Sequence, residues 1–240
     1  MQNVRRLILG AGFRGCGRIR RLCRQLSENA QTRRVYSKYR DYTMVPRSGF
    51  SDNLSLARRV AGVEGCVVEC GVWKGGMSAA LVSVMGRQRP YFLFDSFEGL
   101  PPAKPMDGPA ALRWQKDTKS PKYFDNCRAG EEYAYRAMTL SGAPSFRLVK
   151  GWFNDTLPGF EPPEPIALLR LDGDWYDSTM VCLESLYDHV APGGLVILDD
   201  YYAWDGCSRA LHDFLSKRSA VERIRSQGEV CFFQKAAASG

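Results

Sequence analysis

The sequence predicts a doubly wound α/β fold with a mostly parallel sheet, and three observations support that prediction. From about residue 66, short apolar runs of strand length alternate with segments of helical periodicity. Those runs are continuously apolar rather than alternating, which is the pattern of strands covered on both faces. Finally, 240 residues with 45% hydrophobic and 25% charged side chains can bury one sizeable core, which excludes a disordered, collagenous or coiled-coil chain.

The elements follow in order. Pro46, Arg47, Ser48 and Gly49 mark a break, so residues 1–45 are expected as a basic helical arm and 46–235 as the α/β domain. Cys66–Cys70 (CVVEC) reads as a buried strand and Gly76–Met85 as the helix after it. Strands Tyr91–Asp95, Phe146–Lys150 and Ile166–Leu171 follow, then helix Asp177–His189, strand Gly194–Asp200 and helix Gly206–Lys217. Val221–Ile224 and Glu229–Gln234 are expected to close the sheet as an antiparallel pair. Between Leu100 and Ser145 the alternation lapses into Pro, Gly, Lys and aromatic residues, and this insertion (100–145) is expected to be a lid or binding loop.

The net charge of +7 is unevenly placed. Residues 1–40 carry eleven Lys/Arg and one acid, leaving 22 basic against 25 acidic groups in the remainder. An acidic body argues against a nucleic-acid protein, although the arm alone would bind phosphate in a salt-dependent way. No apolar run approaches the roughly 18 residues of a membrane span, and no cleavage site follows the short run Leu7–Phe13. Eight scattered cysteines without a CxxC pair fit neither a zinc site nor a disulfide scaffold, so a reducing, cytoplasmic setting is expected.

Two glycine motifs compete for a nucleotide. Gly10, Gly12 and Gly15 form a GxGxxG, but the run before it is short, the segment after it is arginine-rich and no acid lies about 20 residues on. The stretch Glu69 to Ser78 (ECGVWKGGMS) has the better context, after a strand and at the opening of a helix whose N–H groups are unpaired. Asp95 ends the next strand and is placed to accept both hydroxyls of a ribose. The plainer alternative is a tight turn and a solvated Asp.

Asp172 ends one apolar strand, and Asp199 and Asp200 end another. Ligands of open parallel sheets bind beyond the carboxyl ends of strands, so these acids should converge there, and converging carboxylates need a cation. Hard oxygen ligands suit Mg²⁺, which makes the three acids candidate metal ligands. Strand-end acids can instead cap helices, a role that suits Asp174 and Asp177 better.

At these residues VVECGVWKGGMS, FDSFEGLPPA, LDGDWYDSTM, PGGLVILDDY and Tyr42-Thr43-Met44 resemble the macrocin O-methyltransferase family over roughly residues 40 to 217. The resemblance implies a Rossmann-like class I methyltransferase that uses S-adenosyl-L-methionine and Mg²⁺ to methylate sugar hydroxyls in antibiotic pathways. Carried over by motif, Glu69, Gly71 and Ser78, with Val72 and Trp73 of the same turn, would surround the methionine end of the cofactor. Thr43 and Met44 would close over it, Asp95 and Ser96 would hold the ribose, and Gly151 and Trp152 the adenine. Asp172, Asp199 and Asp200 would bind the metal. The arginine-rich first 40 residues and the ending ERIRSQGEVCFFQK depart from the family pattern.

The implied chemistry is methyl transfer to a hydroxyl acidified by the metal, with Asp172 as candidate base and His212 as an alternative. His189 has an ordinary helix-terminus position. Trp175 and Trp204 follow the metal strands and would either stack on a ring acceptor or pack in the core. The expected partners are a small hydroxylated acceptor, a glycoside above all, and further copies of the chain in a homo-oligomer. A catechol-type enzyme acting on a phenolic diol would share the acids; aromatic walls above them would favour it, and a polar cleft under a long lid would favour a sugar.

Overall fold

The computed structural model describes residues 22–23, 25–219 and 221–236. The GxGxxG at Gly10, Gly12 and Gly15 lies outside them. The chain divides into two compact units, Met1–Lys38 and Tyr39–Gly240. In the first, the described residues are helical, with a helix α1 over residues 25–38 that leaves Arg33 and Arg34 exposed.

The second unit is built on a seven-stranded sheet of order β3-β2-β1-β4-β5-β7-β6. Its strands are β1 (Cys66–Cys70), β2 (Tyr91–Asp95), β3 (Phe146–Lys150), β4 (Ile166–Leu171), β5 (Val190–Leu198), β6 (Arg225–Gln227) and β7 (Val230–Gln234). The first five pair in parallel and β7 runs antiparallel to β5. Every residue of β1 and β4 is buried, as continuous apolar strands in the middle of a covered sheet must be. The helices are α2 (Arg47–Arg59), α3 (Gly76–Met85), α4 (Gly108–Lys116), α5 (Glu131–Ser141), α6 (Phe153–Thr156), α7 (Tyr176–Leu186) and α8 (Asp205–Lys217). On one face Leu183, Leu186, Leu211 and Phe214 of α7 and α8 cover Leu169, Val196 and Phe233. Each such side chain contributes roughly 1.5–3 kcal/mol by leaving water.

After β1 the chain winds outward through β2 and β3, then returns to place β4 on the other side of β1. This reversal makes the carboxyl ends of β1 and β4 the switch point where open α/β sheets bind ligands.

Three expected boundaries are corrected. The terminal hairpin uses Arg225–Gln227, not Val221–Ile224, because its two-residue loop at Gly228-Glu229 pairs Gln227 with Val230, and a short loop dictates register. Val221 is left exposed. Strand β5 starts at Val190, carrying Pro192 and Gly193 in an irregular stretch opposite Ile166 and Leu168, and Asp199 and Asp200 follow its last residue. The insertion expected over 100–145 is also shorter: α5 buries Ala134, Ala137, Met138 and Ser141 and packs on α3 as the crossover between β2 and β3. Its i, i+3, i+4, i+7 spacing marks a core-facing helix.

Candidate active site

The turn after β1 is set by Gly71. Its φ is +85°, and a Cβ there would stand 1.8 Å from the Asp172 carbonyl oxygen, so glycine is what lets the ends of β1 and β4 touch. The next N–H groups bend toward β2. Val72 and Trp73 each donate to Asp95 Oδ2 at 2.8 Å, and Phe97 donates to Oδ1 at 2.7 Å. Burial raises the Asp95 pKa, and these backbone donors oppose the rise. A carboxylate oxygen offers about two acceptor positions, so Oδ2 is filled and Oδ1 has room for one further donor. Asp95 therefore secures the turn and can take one hydroxyl, where the sequence suggested two. Ser96 also closes its own turn: Oγ donates to the Gly99 carbonyl at 2.9 Å and accepts from Glu98 N–H at 3.1 Å.

The acids at the ends of β4 and β5 meet a residue that the sequence reading passed over. Arg170, the next-to-last residue of β4, is fully buried. Its Nη1 donates to Glu69 Oε1 at 2.5 Å and Asp172 Oδ2 at 2.8 Å, and its Nη2 pairs with Asp199 Oδ2 at 2.8 Å. Its Nε donates to Asn53 Oδ1 at 3.0 Å, while Asn53 Nδ2 donates to Asp199 Oδ1 at 2.8 Å. One guanidinium thus gathers three carboxylates from three adjacent strands. Such a side chain is almost never fully buried unless paired, so an arginine inside IALLRL was the signal that could have revealed it. Asn53, on α2, carried no signal.

In front of this network Asp172, Asp199 and Asp200 line one cavity of about 710 Å³, together with Asp174. Burial, then the neighbouring acids Asp174, Asp172 and Asp199, holds Asp200 well above the ordinary carboxylate range. Asp172 is also raised by burial, against the pull of Arg170. Asp174 is pushed up to about 8, by burial first and then by Asp172. Among the described residues no three His, Cys, Asp or Glu side chains stand as a ready cation cage. The donor chemistry nevertheless suits a hard divalent cation: four carboxylates line one cavity with a single guanidinium behind them, itself shared with Glu69.

Asp174 and Asp177 do not cap α7. The carboxylate of Asp107, buried in the insertion, accepts Tyr176 N–H at 2.7 Å; Asp174 accepts Trp204 Nε1–H at 2.8 Å and Asp177 pairs with Lys104.

The insertion covers the acids with aromatic rings. Trp114 of α4 meets Trp175 and Trp204 edge-on, with centroids 6.2 and 5.9 Å apart, and Trp175 and Trp204 lie 5.3 Å from each other. All three line the cavity, as does Cys127. The insertion is fastened by amides: Gln115 Nε2 donates to the Pro101 carbonyl at 2.9 Å and Asn126 Oδ1 at 3.0 Å, and Asn126 Nδ2 donates to the Leu100 carbonyl at 2.7 Å. Phe124, Asp125, Asn126 and Cys127 all have φ between +52° and +60°, a left-handed run that these contacts hold in place.

Of the cofactor residues expected from sequence, Met44, Gly71, Trp73, Asp95, Ser96 and Trp152 line the cavity. Thr43, Glu69, Val72, Ser78 and Gly151 are not among its lining. Glu69 is buried, with Ser78 donating to its Oε2 and Arg170 to its Oε1, and burial pushes its pKa up to about 7. Neither histidine reaches the cavity lining: His212 is exposed on α8, 2.9 Å from the Tyr201 hydroxyl, and His189 lies near Glu161.

Known proteins resemble this chain in sequence and fold. The chain is 36% identical over 187 residues to the 4'-O-methyltransferase of 8-demethyl-8-(2,3-dimethoxy-alpha-L-rhamnosyl)-tetracenomycin-C from Streptomyces olivaceus, a match covering 74% of this chain and 69% of that protein. It is 34% identical over 166 residues to demethyldecarbamoylnovobiocin O-methyltransferase from Streptomyces niveus, covering 68% of this chain and 62% of that protein. The chain thus spans about two thirds of the length of these relatives. Among solved structures the O-methyltransferase NovP superposes with a TM-score of 0.67 at 26% identity, covering 82% of this chain and 83% of NovP, which makes the sheet a class I methyltransferase, Rossmann-like fold. The family model for macrocin-O-methyltransferases runs through residues 24–235, taking in the β1 turn, the insertion and both acidic strand ends. A match of that extent makes this chain a member of the macrocin-O-methyltransferase family.

Proposed function

We propose that the protein transfers a methyl group from S-adenosyl-L-methionine to a hydroxyl of a sugar carried on a natural product, with Mg²⁺ held by Asp172, Asp199 and Asp200. The observation that carries this reading is that these three strand-end carboxylates line one cavity with the glycine turn of β1. A cavity of about 710 Å³ lies within the roughly 300–1,000 Å³ of small-molecule sites. The substrate named for the Streptomyces olivaceus relative, a rhamnosyl derivative methylated at 4'-O, supports a sugar acceptor.

When bound, the cofactor supplies an electrophilic methyl group and the divalent ion a Lewis acid that lowers the pKa of an adjacent hydroxyl. This chain's residues do the rest. Gly71, Trp73, Asp95 and Ser96 form the cofactor wall on the β1 and β2 side, with Met44 and Trp152 at its margins. Asp172 stands at the end of β4 as the acceptor for the hydroxyl proton, with Arg170 fixing its Oδ2 at 2.8 Å. Trp114, Trp175 and Trp204 offer ring edges and faces to the acceptor and exclude water above the acids.

Asp172→Asn tests the reading. Turnover should fall by about 10²- to 10⁴-fold, the usual worth of a positioned base, while calorimetry shows cofactor affinity nearly unchanged; retained turnover with added Mg²⁺ overturns the assignment. The aromatic walls also suit a flat phenolic diol, so catechol belongs in the acceptor panel beside glycosides. Turnover of catechol with none of any glycoside would replace the sugar by a phenol. The expected homo-oligomer is part of the same proposal and is read by light scattering.

A further inference from the structure

Asp172 and Asp199 meet the cavity as the front of a network whose back is entirely buried, and that back determines how they stand. Arg170 has no exposed surface and neither has Asn53. Arg170 Nη1 and Nη2 reach Asp172 Oδ2 and Asp199 Oδ2, both at 2.8 Å. Asn53 is itself doubly anchored, its Oδ1 accepting from Arg170 Nε at 3.0 Å and its Nδ2 donating to Asp199 Oδ1 at 2.8 Å and to the Gly49 carbonyl at 2.9 Å. We propose that Arg170 and Asn53 are positioning residues which set the divalent-cation affinity of Asp172 and Asp199 by fixing the orientation of both carboxylates; this rests on the metal reading above.

The argument is one of orientation rather than charge. A free aspartate must give up rotamer freedom when it takes a ligand, whereas one whose rear lone pairs are occupied meets the ligand already ordered. Hydrogen-bond partners behind metal-ligating carboxylates are worth about 10- to 100-fold in metal affinity. Asn53 isolates this effect because it is neutral, so replacing it with another neutral residue leaves the charge of the cluster unchanged. Arg170 also brings a positive charge that opposes a cation. Replacing it by Lys keeps the charge and removes the planar fork that reaches two carboxylates at once.

The experiment titrates the full-length protein with Mn²⁺, following the free-ion electron paramagnetic resonance signal, and uses wild type, Asn53→Ala, Arg170→Lys and Asp199→Asn. Cofactor affinity by calorimetry and thermal unfolding run alongside. The expected result is Mn²⁺ binding about 10- to 100-fold weaker in Asn53→Ala and Arg170→Lys, with cofactor affinity within about twofold of wild type. Turnover of Asn53→Ala should recover at saturating Mg²⁺, which a general folding defect would not allow. Should Asn53→Ala fail to fold, Asn53→Ser, whose hydroxyl is too short to span both partners, is read in the same way. Wild-type Mn²⁺ affinity in the Asn53 variant, with binding lost in Asp199→Asn, overturns the positioning role and leaves the metal site standing. Unchanged Mn²⁺ affinity in Asp199→Asn overturns the metal reading itself, and the positioning role with it.

Discussion

Behind Asp172 and Asp199 the cavity wall is held by charge: a buried guanidinium joins three carboxylates from β1, β4 and the end of β5. In the insertion, neutral amides do much of the fastening, Gln115 and Asn126 bonding to the Leu100 and Pro101 carbonyls beside the Asp107 carboxylate and an exposed Lys104–Asp177 pair, and tryptophan rings pack edge-on. The two walls differ in how much their contacts can give. Removing one partner from a buried ion network leaves uncompensated charge, so the rear wall is stiff, whereas an amide hydrogen bond in the insertion is worth about 0.5–1.5 kcal/mol net and can be exchanged for water. A rigid back and a releasable front suit a site that must hold acids in place and still admit an acceptor.

The largest expected effect breaks the rear wall. Arg170→Met strands Glu69, Asp172 and Asp199, and urea unfolding should show a loss of about 3–5 kcal/mol; a midpoint close to wild type would mean that charge is not what holds this wall. Next is Gly71→Ala, which forces a side chain into a left-handed conformation against the Asp172 carbonyl. It should cost about 1–3 kcal/mol and weaken cofactor binding measured by calorimetry, because the β1 turn must move. A smaller effect belongs to the insertion. Asn126→Ala removes the bonds to Leu100 and Gln115 and leaves alanine at a φ of +55°, for about 1–2 kcal/mol. Protease cleavage between residues 100 and 130 should then speed up while urea stability of the sheet stays nearly constant, and equal losses in both would show that the two walls are one cooperative unit. Smallest is Trp114→Ala, expected to raise the acceptor KM by about three- to tenfold at constant cofactor affinity, in line with the 0.5–1.5 kcal/mol of an aromatic contact. An unchanged KM would assign this ring to lid packing alone.

Much of the sheet was legible because its signals are local. CVVEC, YFLFD and IALLRL are strands over the predicted residues, and Asp95, Asp172, Asp199 and Asp200 fall at or just beyond strand ends, where the apolar runs stop. The insertion was harder to bound, since the prolines and aromatics of residues 100–127 obscured the helical spacing of Ala134, Ala137 and Met138 just after them. The family resemblance implies that Glu69 and Ser78 surround the methionine end of the cofactor. In the structure they satisfy each other and Arg170 beneath the glycine turn.

The run of apolar and polar residues was enough, unaided, to mark the five parallel strands, to show that the sheet is mostly parallel, and to tell which end of it carries the acids, because continuous apolar runs and the 3.6-residue helical period are properties of neighbours in the chain. Which side chains hold each carboxylate was decided only by tertiary structure. Asn53 and Arg170 are 117 positions apart, and Asn53 and Asp199 146 apart. Hydrogen bonds over such separations depend on where the folded sheet brings side chains together, and no window along the chain contains that information.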